Sequence, residues 1–183
     1  MHKVTGALTQ SSVLHVHSSL VDMDRVTSAL HIVQSTSPNY LLMTSLDCAR
    51  YELAMHGREM MQQALALASY AREQINRIAG FACMGTEVVG QAGIAGLDTT
   101  RLVITAKKLG LTGFDLEECL FQKYAVNMEL ADYENVLAIV TYANTREEID
   151  RLISACRRIS QELLSDTCVI NRNWKETHNQ EIP

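Results

Sequence analysis

The chain has 183 residues, a length that holds one domain of about 100–200 residues or one domain with a small satellite, and no disulfide staple is needed to stabilise it. With 47% apolar and 20% charged residues it is neither disordered nor of low complexity, and a net charge of −5 with scattered Lys and Arg leaves no basic stripe to track phosphates. The longest apolar stretch, Ile78 to Met84, is interrupted by a glycine and is far short of the roughly 18 residues of a membrane span, so neither nucleic acid nor membrane is an expected partner.

Met1-His2-Lys3 has the basic start of a secretory signal, but Thr9-Gln10-Ser11-Ser12 interrupts any apolar stretch behind it, and the cytoplasm is the expected location. Val13, His15 and His17 alternate with Leu14 and Val16, a period of two that predicts a strand. Asp22 can cap a helix running to about Gln34. Ser37-Pro38 offers a cap and a first-turn proline for a second helix, with Leu42, Leu46, Ala49 and Leu53 on one face. Gly57 then punctuates before a third helix whose Met60, Ala64, Leu67, Ala71, Ile75 and Ile78 form a core stripe.

Five of the nine glycines fall between Gly80 and Gly96, which reads as a loop-rich crossing between modules. Leu102 to Ala106 reads as a strand. Thr112-Gly-Phe-Asp115 matches a capping box and opens a helix with Leu116, Leu120 and Tyr124 inward. Two further strands are predicted, one from the alternation of Val126, Met128 and Leu130 and one over Leu137 to Thr141. Thr145-Arg-Glu-Glu148 caps a last helix that turns Ile149, Leu152, Ile153, Cys156, Ile159 and Leu163 inward. From Asn171 to Pro183 the chain is polar and aperiodic, frayed or held only by Trp174.

Local motifs carry little chemistry by themselves. Gly90-x-x-Gly93-x-x-Gly96 lacks the spacing and the strand-turn-helix setting of a phosphate loop. His15 and His17 would share a strand face, yet no third ligand stands nearby, so no metal site is expected. The five cysteines contain no C-x-x-C pair and read as reduced, mostly buried thiols. No nucleophile elbow is present.

A combination of segments is more specific. His2-Lys3, Ala7-Leu8-Thr9-Gln10-Ser11-Ser12, Ser35-Thr36-Ser37-Pro38-x-Tyr40-x-Leu42-Met43-x-Ser45-Leu46-Asp47-x-Ala49-Arg50, Gly110-Leu111-Thr112-Gly113 and Glu129-Leu130-Ala131-Asp132 occur in one order. Together, from Lys3 to about Leu164, they resemble the bacterial ornithine/lysine/arginine decarboxylases, pyridoxal phosphate enzymes of the aspartate-aminotransferase fold type. The resemblance implies pyridoxal 5'-phosphate as cofactor and Lys3 as its Schiff-base residue. An amine in that role must be deprotonated to attack, which burial beside cations promotes. The cofactor ring takes up the electrons left when CO2 departs.

Other roles are implied by the same resemblance. His2 would lie against the cofactor's edge, and Ser35 falls where the family places a hydroxyl that reaches the cofactor phosphate of the neighbouring subunit. Glu129 falls where an acidic residue stands near the distal amine of a basic amino-acid substrate, pairing with it by charge. The implied assembly is a homo-oligomer built on dimers. Read without the resemblance, Lys3 is a solvated charge, the run Ser35 to Pro38 caps a helix, and Glu129 is an exposed strand glutamate.

The expected fold class is therefore α/β. Residues 1–79 would form the end of the major cofactor-binding domain, a strand plus helices, residues 80–168 a small C-terminal α/β domain, and residues 169–183 a polar tail. Members of the family carry a long segment before the Schiff-base lysine, with the phosphate cradle, the ring that stacks on the cofactor and the aspartate that holds its ring nitrogen. This sequence looks like the C-terminal part of such an enzyme. It is expected to be inactive or nearly so by itself, and to expose apolar faces between residues 4 and 79 that normally pack on the absent sheet and a second subunit. The alternative is a non-catalytic binding or regulatory remnant that pairs with a full-length decarboxylase through the helices at 22–79. A split gene with the N-terminal half encoded upstream is a third reading.

Overall fold

The structure, a computed structural model, describes residues 3–17, 19–34 and 36–165, the Lys3 side chain excepted. His2, Ser35, Cys168, Trp174 and the polar tail lie outside the described residues. The chain divides into two compact units, one through Gln62 and one from Gln63 onward.

In the first unit a 3-10 turn at Lys3–Thr5 leads through an irregular stretch to α1 (Met23–Val33) and the first part of α2 (Tyr40–Asn76). Asp22 opens α1 as the sequence implies, its carboxylate accepting from the amides of Asp24 and Arg25 at 2.9 and 3.3 Å. The cap of α2 is Asn39 instead of Ser37. Its Oδ1 accepts from the amides of Leu41 and Leu42 at 3.0 and 3.3 Å, which leaves Pro38 outside the helix. The predicted strand at 13–17 is not formed, and these residues have no regular structure. Alternation only describes a fit to a pleated surface, and among the described residues no strand pairs with this segment.

Gly57 does not break the helix either. An internal glycine costs about 1 kcal/mol relative to alanine. Gly57 lies on the same stripe as Leu53, Met60 and Ala64, so the two predicted helices are one continuous α2.

In the second unit a four-stranded antiparallel sheet, ordered β1-β2-β4-β3, consists of β1 (Ala82–Cys83), β2 (Arg101–Thr105), β3 (Leu130–Ala131) and β4 (Val136–Ile139). The architecture is helices with a small antiparallel sheet. Along β2 the buried residues are Leu102 and Ile104, paired in register with Ala138 and Val136 of β4. That face meets α3 (Gly113–Tyr124), α4 (Arg146–Ser165) and the end of α2, and Ile75, Leu102, Ile104, Leu116, Leu120, Val136, Cys156 and Ile159 are sealed from solvent.

Side chains tie these layers together. Tyr70 on α2 donates to Asp150 on α4 at 2.8 Å, and the Arg146 guanidinium stacks 3.4 Å from the Tyr70 ring centre. Arg72 donates to the carbonyls of Met84, Thr99 and Arg101, which pins the glycine-rich loop onto α2. Asn76 accepts from the Cys83 amide at 2.7 Å and donates to its carbonyl at 3.2 Å, so a helix side chain orders β1. Of the cysteines, Cys83 and Cys156 are buried and pushed up to about 11 and about 12 by burial. Cys119 is half-buried, Cys48 is exposed, and all four are free thiols.

The alternation at Val126 to Leu130 yields a strand only at its end. The Ala125 and Val126 amides donate back to Phe121 and Leu120, closing α3 with Ala125 in the left-handed region at φ 52°. Residues spent on a helix end are not available to a ladder. The capping box of α3 is formed as the sequence implies: Asp115 donates its amide to Thr112 Oγ1, and the Thr112 amide donates to Asp115 Oδ2.

Candidate functional site

A cleft of about 310 Å³ lies in the second unit between the residues that follow α3, β4 and the start of α4. Its floor is the apolar core edge, with Met128, Val140, Ile149 and Leu152 all buried. Glu129 stands on its wall. The segment is fixed because the Glu129 amide donates to the Leu137 carbonyl at 2.9 Å, one residue before β3 pairs with β4. Glu129 itself is exposed.

Two charged residues of α4 join it. Glu148 Oε2 accepts from the Thr145 amide at 2.9 Å and from Asn144 Nδ2 at 3.1 Å, while the Glu148 amide donates to Thr145 Oγ1, so the predicted cap is present. The Thr145 amide foremost, then Asn144 and the Arg151 charge, hold the Glu148 carboxyl below its usual range and keep it ionised. Asn144 is fixed in turn by accepting from the Thr141 amide and hydroxyl. Arg151 completes the lining. Two carboxylates against one guanidinium leave an acidic cleft with an apolar floor, a setting for a cation carried on an aliphatic stem.

The resemblance points to Glu129 and not to Glu148 or Arg151, which line the same cleft. Thr145-x-x-Glu148 was legible as a helix start, and that role masks the carboxylate's second position beside Glu129. Arg151 follows three residues later on the same helix face.

Lys3 belongs to the first unit and starts the 3-10 turn. The segment after it is anchored, since Ala7 is buried and the Leu8 amide donates to Ser45 Oγ on α2 at 2.7 Å. For His2 and Ser35, which lie outside the described residues, no placement arises. His15 and His17 are both exposed. Among the described residues no group of three or more His, Cys, Asp or Glu could hold a metal ion, and no helix is long and apolar enough to cross a membrane.

The family model for the Orn/Lys/Arg decarboxylase major domain matches residues 1–148, and the chain belongs to that family. It is 41% identical over 163 residues to the arginine decarboxylase of Bacillus subtilis, and 41% identical over 160 residues to that of Halalkalibacterium halodurans. These alignments cover 89% and 87% of this chain and 33% of each relative. The crystal structure of the Francisella novicida lysine decarboxylase superposes with a TM-score of 0.69 at 17% identity, over 93% of this chain and 30% of that one. The chain thus spans about a third of the length of the relatives it matches, and the likeness to the lysine decarboxylase is one of fold.

Proposed function

We propose that this chain is part of a pyridoxal phosphate-dependent decarboxylase that converts a basic amino acid to its amine and CO2, with Lys3 as the Schiff-base residue. The observation that carries the reading is the family match from residue 1 onward together with an acidic, apolar-floored cleft around Glu129. The curated relatives named arginine decarboxylases favour arginine among the basic substrates.

The donor chemistry fits the cofactor at its aldehyde end, because Lys3 supplies a primary amine at the head of a segment anchored through Ala7 and Leu8. When bound, pyridoxal phosphate supplies an aldehyde and an electron-accepting ring. Lys3 would hold it through the side-chain nitrogen, with His2 at its edge, and Ser35 would donate a hydroxyl hydrogen bond to the phosphate of the cofactor in the neighbouring subunit. Glu129, beside the ionised Glu148, would hold the distal cation of the substrate by charge-assisted hydrogen bonds while Met128, Val140 and Leu152 line its methylene stem. The cytoplasm is the proposed location and a homo-oligomer the proposed assembly.

The 183 residues span about a third of the length of the curated relatives, and turnover by this chain is the direct test. Pure chain supplied with cofactor and with arginine, lysine or ornithine in turn should release CO2 no faster than its Lys3→Ala variant. A decarboxylation that this substitution abolishes would show that the chain is catalytic alone.

A second reading is favoured by the exposed apolar side chains of the first unit, among them Leu20, Ile32, Val33, Tyr40 and Leu41. In it the chain is a non-catalytic partner that associates with a full-length decarboxylase through the helices at 22–79. Co-elution with such an enzyme, without any cofactor bound to the 183-residue chain, would favour it over the first.

A further inference from the structure

We propose that Arg151 holds the carboxylate of the ligand in the cleft around Glu129, so that the cleft selects a basic amino acid over the amine that remains when CO2 is lost. The inference rests on the reading of that cleft as the seat of the distal cation, and adds what its guanidinium selects.

The charged side chains lining the cleft are Glu129, Glu148 and Arg151. Glu148 Oε2 is shared by the Thr145 amide and Asn144. Arg151 is exposed and, among the described residues, makes no hydrogen bond or ion pair; it acts on Glu148 only as a neighbouring charge. The other acids near it along α4 do not take it up: Asp150 accepts from Tyr70 at 2.8 Å and from Arg146 at 3.2 Å, and Glu147 is not part of the cleft lining. A guanidinium carries its N–H donors in a fixed fork and has no acceptor, and a pair of those donors matches the two oxygens of a carboxylate.

A basic amino acid and its amine share the distal cation and the methylene stem, so Glu129 and the apolar floor treat them alike. They differ at the other end. The amino acid offsets its ammonium with a carboxylate that Arg151 can pair, whereas the amine brings an ammonium alone, a like charge that the guanidinium repels. Glu148 attracts that ammonium, but its Oε2 is already engaged by Thr145 and Asn144, which limits the compensation.

Arginine and agmatine differ only in the carboxylate, and each can be titrated calorimetrically into the 183-residue chain. Arginine should bind several-fold more tightly. Arg151→Met should weaken arginine about tenfold, the factor of one charge-assisted hydrogen bond, and leave agmatine bound as tightly or more so. Arg151→Lys, which keeps the cation, should restore part of the preference, and Glu129→Gln should weaken both ligands alike. Because Arg151 is exposed, its variants should unfold at the wild-type midpoint. Equal binding of the two ligands, or a preference for arginine that Arg151→Met leaves intact, would overturn the inference, and a loss of both ligands in Glu129→Gln would then leave the reading of the cleft standing. Failure of either ligand to bind at millimolar concentration would overturn the reading of the cleft and the inference together.

Discussion

The two units of this chain treat their apolar residues in opposite ways. From Gln63 onward, the stripe of α2, one face of β2 and β4, and the inward faces of α3 and α4 share a continuous core. Among the described residues up to Gln62 only Ala7 and Ala49 are buried, α1 buries nothing, and Leu20 and Ile32 are 95% and 84% exposed. Both units have amphipathic helices with good caps. What separates them is a sheet: in the second unit the helices have one to cover, and in the first the described residues offer none. Helical stability in proteins comes mostly from packing an apolar face, so correct local signals can form a helix without producing a core.

The contrast can be broken by truncating side chains. Leu102→Ala or Ile104→Ala should cost about 2–5 kcal/mol in denaturant unfolding of the second unit. Ile32→Ala should stay within about 0.5 kcal/mol in the isolated chain. Equal costs would show that α1 has a buried partner in solution.

Gly113 tests how tightly the second unit is closed. Its amide donates to the Tyr133 carbonyl at 3.1 Å, and a Cβ there would stand 2.2 Å from the Asn135 carbonyl oxygen and 2.3 Å from that of Asp132. Because the obstacle is backbone, Gly113→Ala should cost about 1–3 kcal/mol or more, read from the same unfolding curves.

Acid sharpens the comparison further. Backbone amides and neighbouring hydroxyls hold the carboxyls of Asp98, Asp132 and Glu148 below their ordinary values of 3.8 and 4.5. A depressed folded pKa gives stability that is present above the unfolded value and lost as pH falls through the folded one. The second unit should therefore weaken progressively below about pH 4.5, and a stability that rose on acidification would contradict these bonds.

The smallest effect belongs to α2. A Cβ on Gly57 would meet only Leu53, at an ordinary 3.6 Å, in regular helix. Gly57→Ala should stabilise the chain by up to about 1 kcal/mol, measurable as a raised Tm.

Much of the fold was legible because it rests on local chemistry. Asp22, Thr112 and Thr145 announce three helix starts, and the inward residues of α3 and α4 follow from spacing. What was not legible depends on distant partners. Asn76, a helix residue, orders a two-residue strand that no alternation reveals, and the Val126 amide closes α3 in place of joining a ladder. The alternation at 13–17 reads as a strand but has nothing among the described residues to pair with. At the cleft, the resemblance points to Glu129 alone, while Glu148 and Arg151 line the same cleft from α4, a proximity that the linear order conceals.

The central claim is that Lys3 is the residue that carries the cofactor. It is tested most directly by adding pyridoxal phosphate to the purified chain, reducing with borohydride and mapping the modified lysines. Lys107 and Lys123 are poor competitors, since the hydrogen bonds they donate to Glu134 and Glu162 hold their amines above the ordinary range and protonated. The account expects the label concentrated on Lys3, even at low occupancy. Label scattered over Lys107, Lys108 and Lys123 with no excess on Lys3 would contradict it.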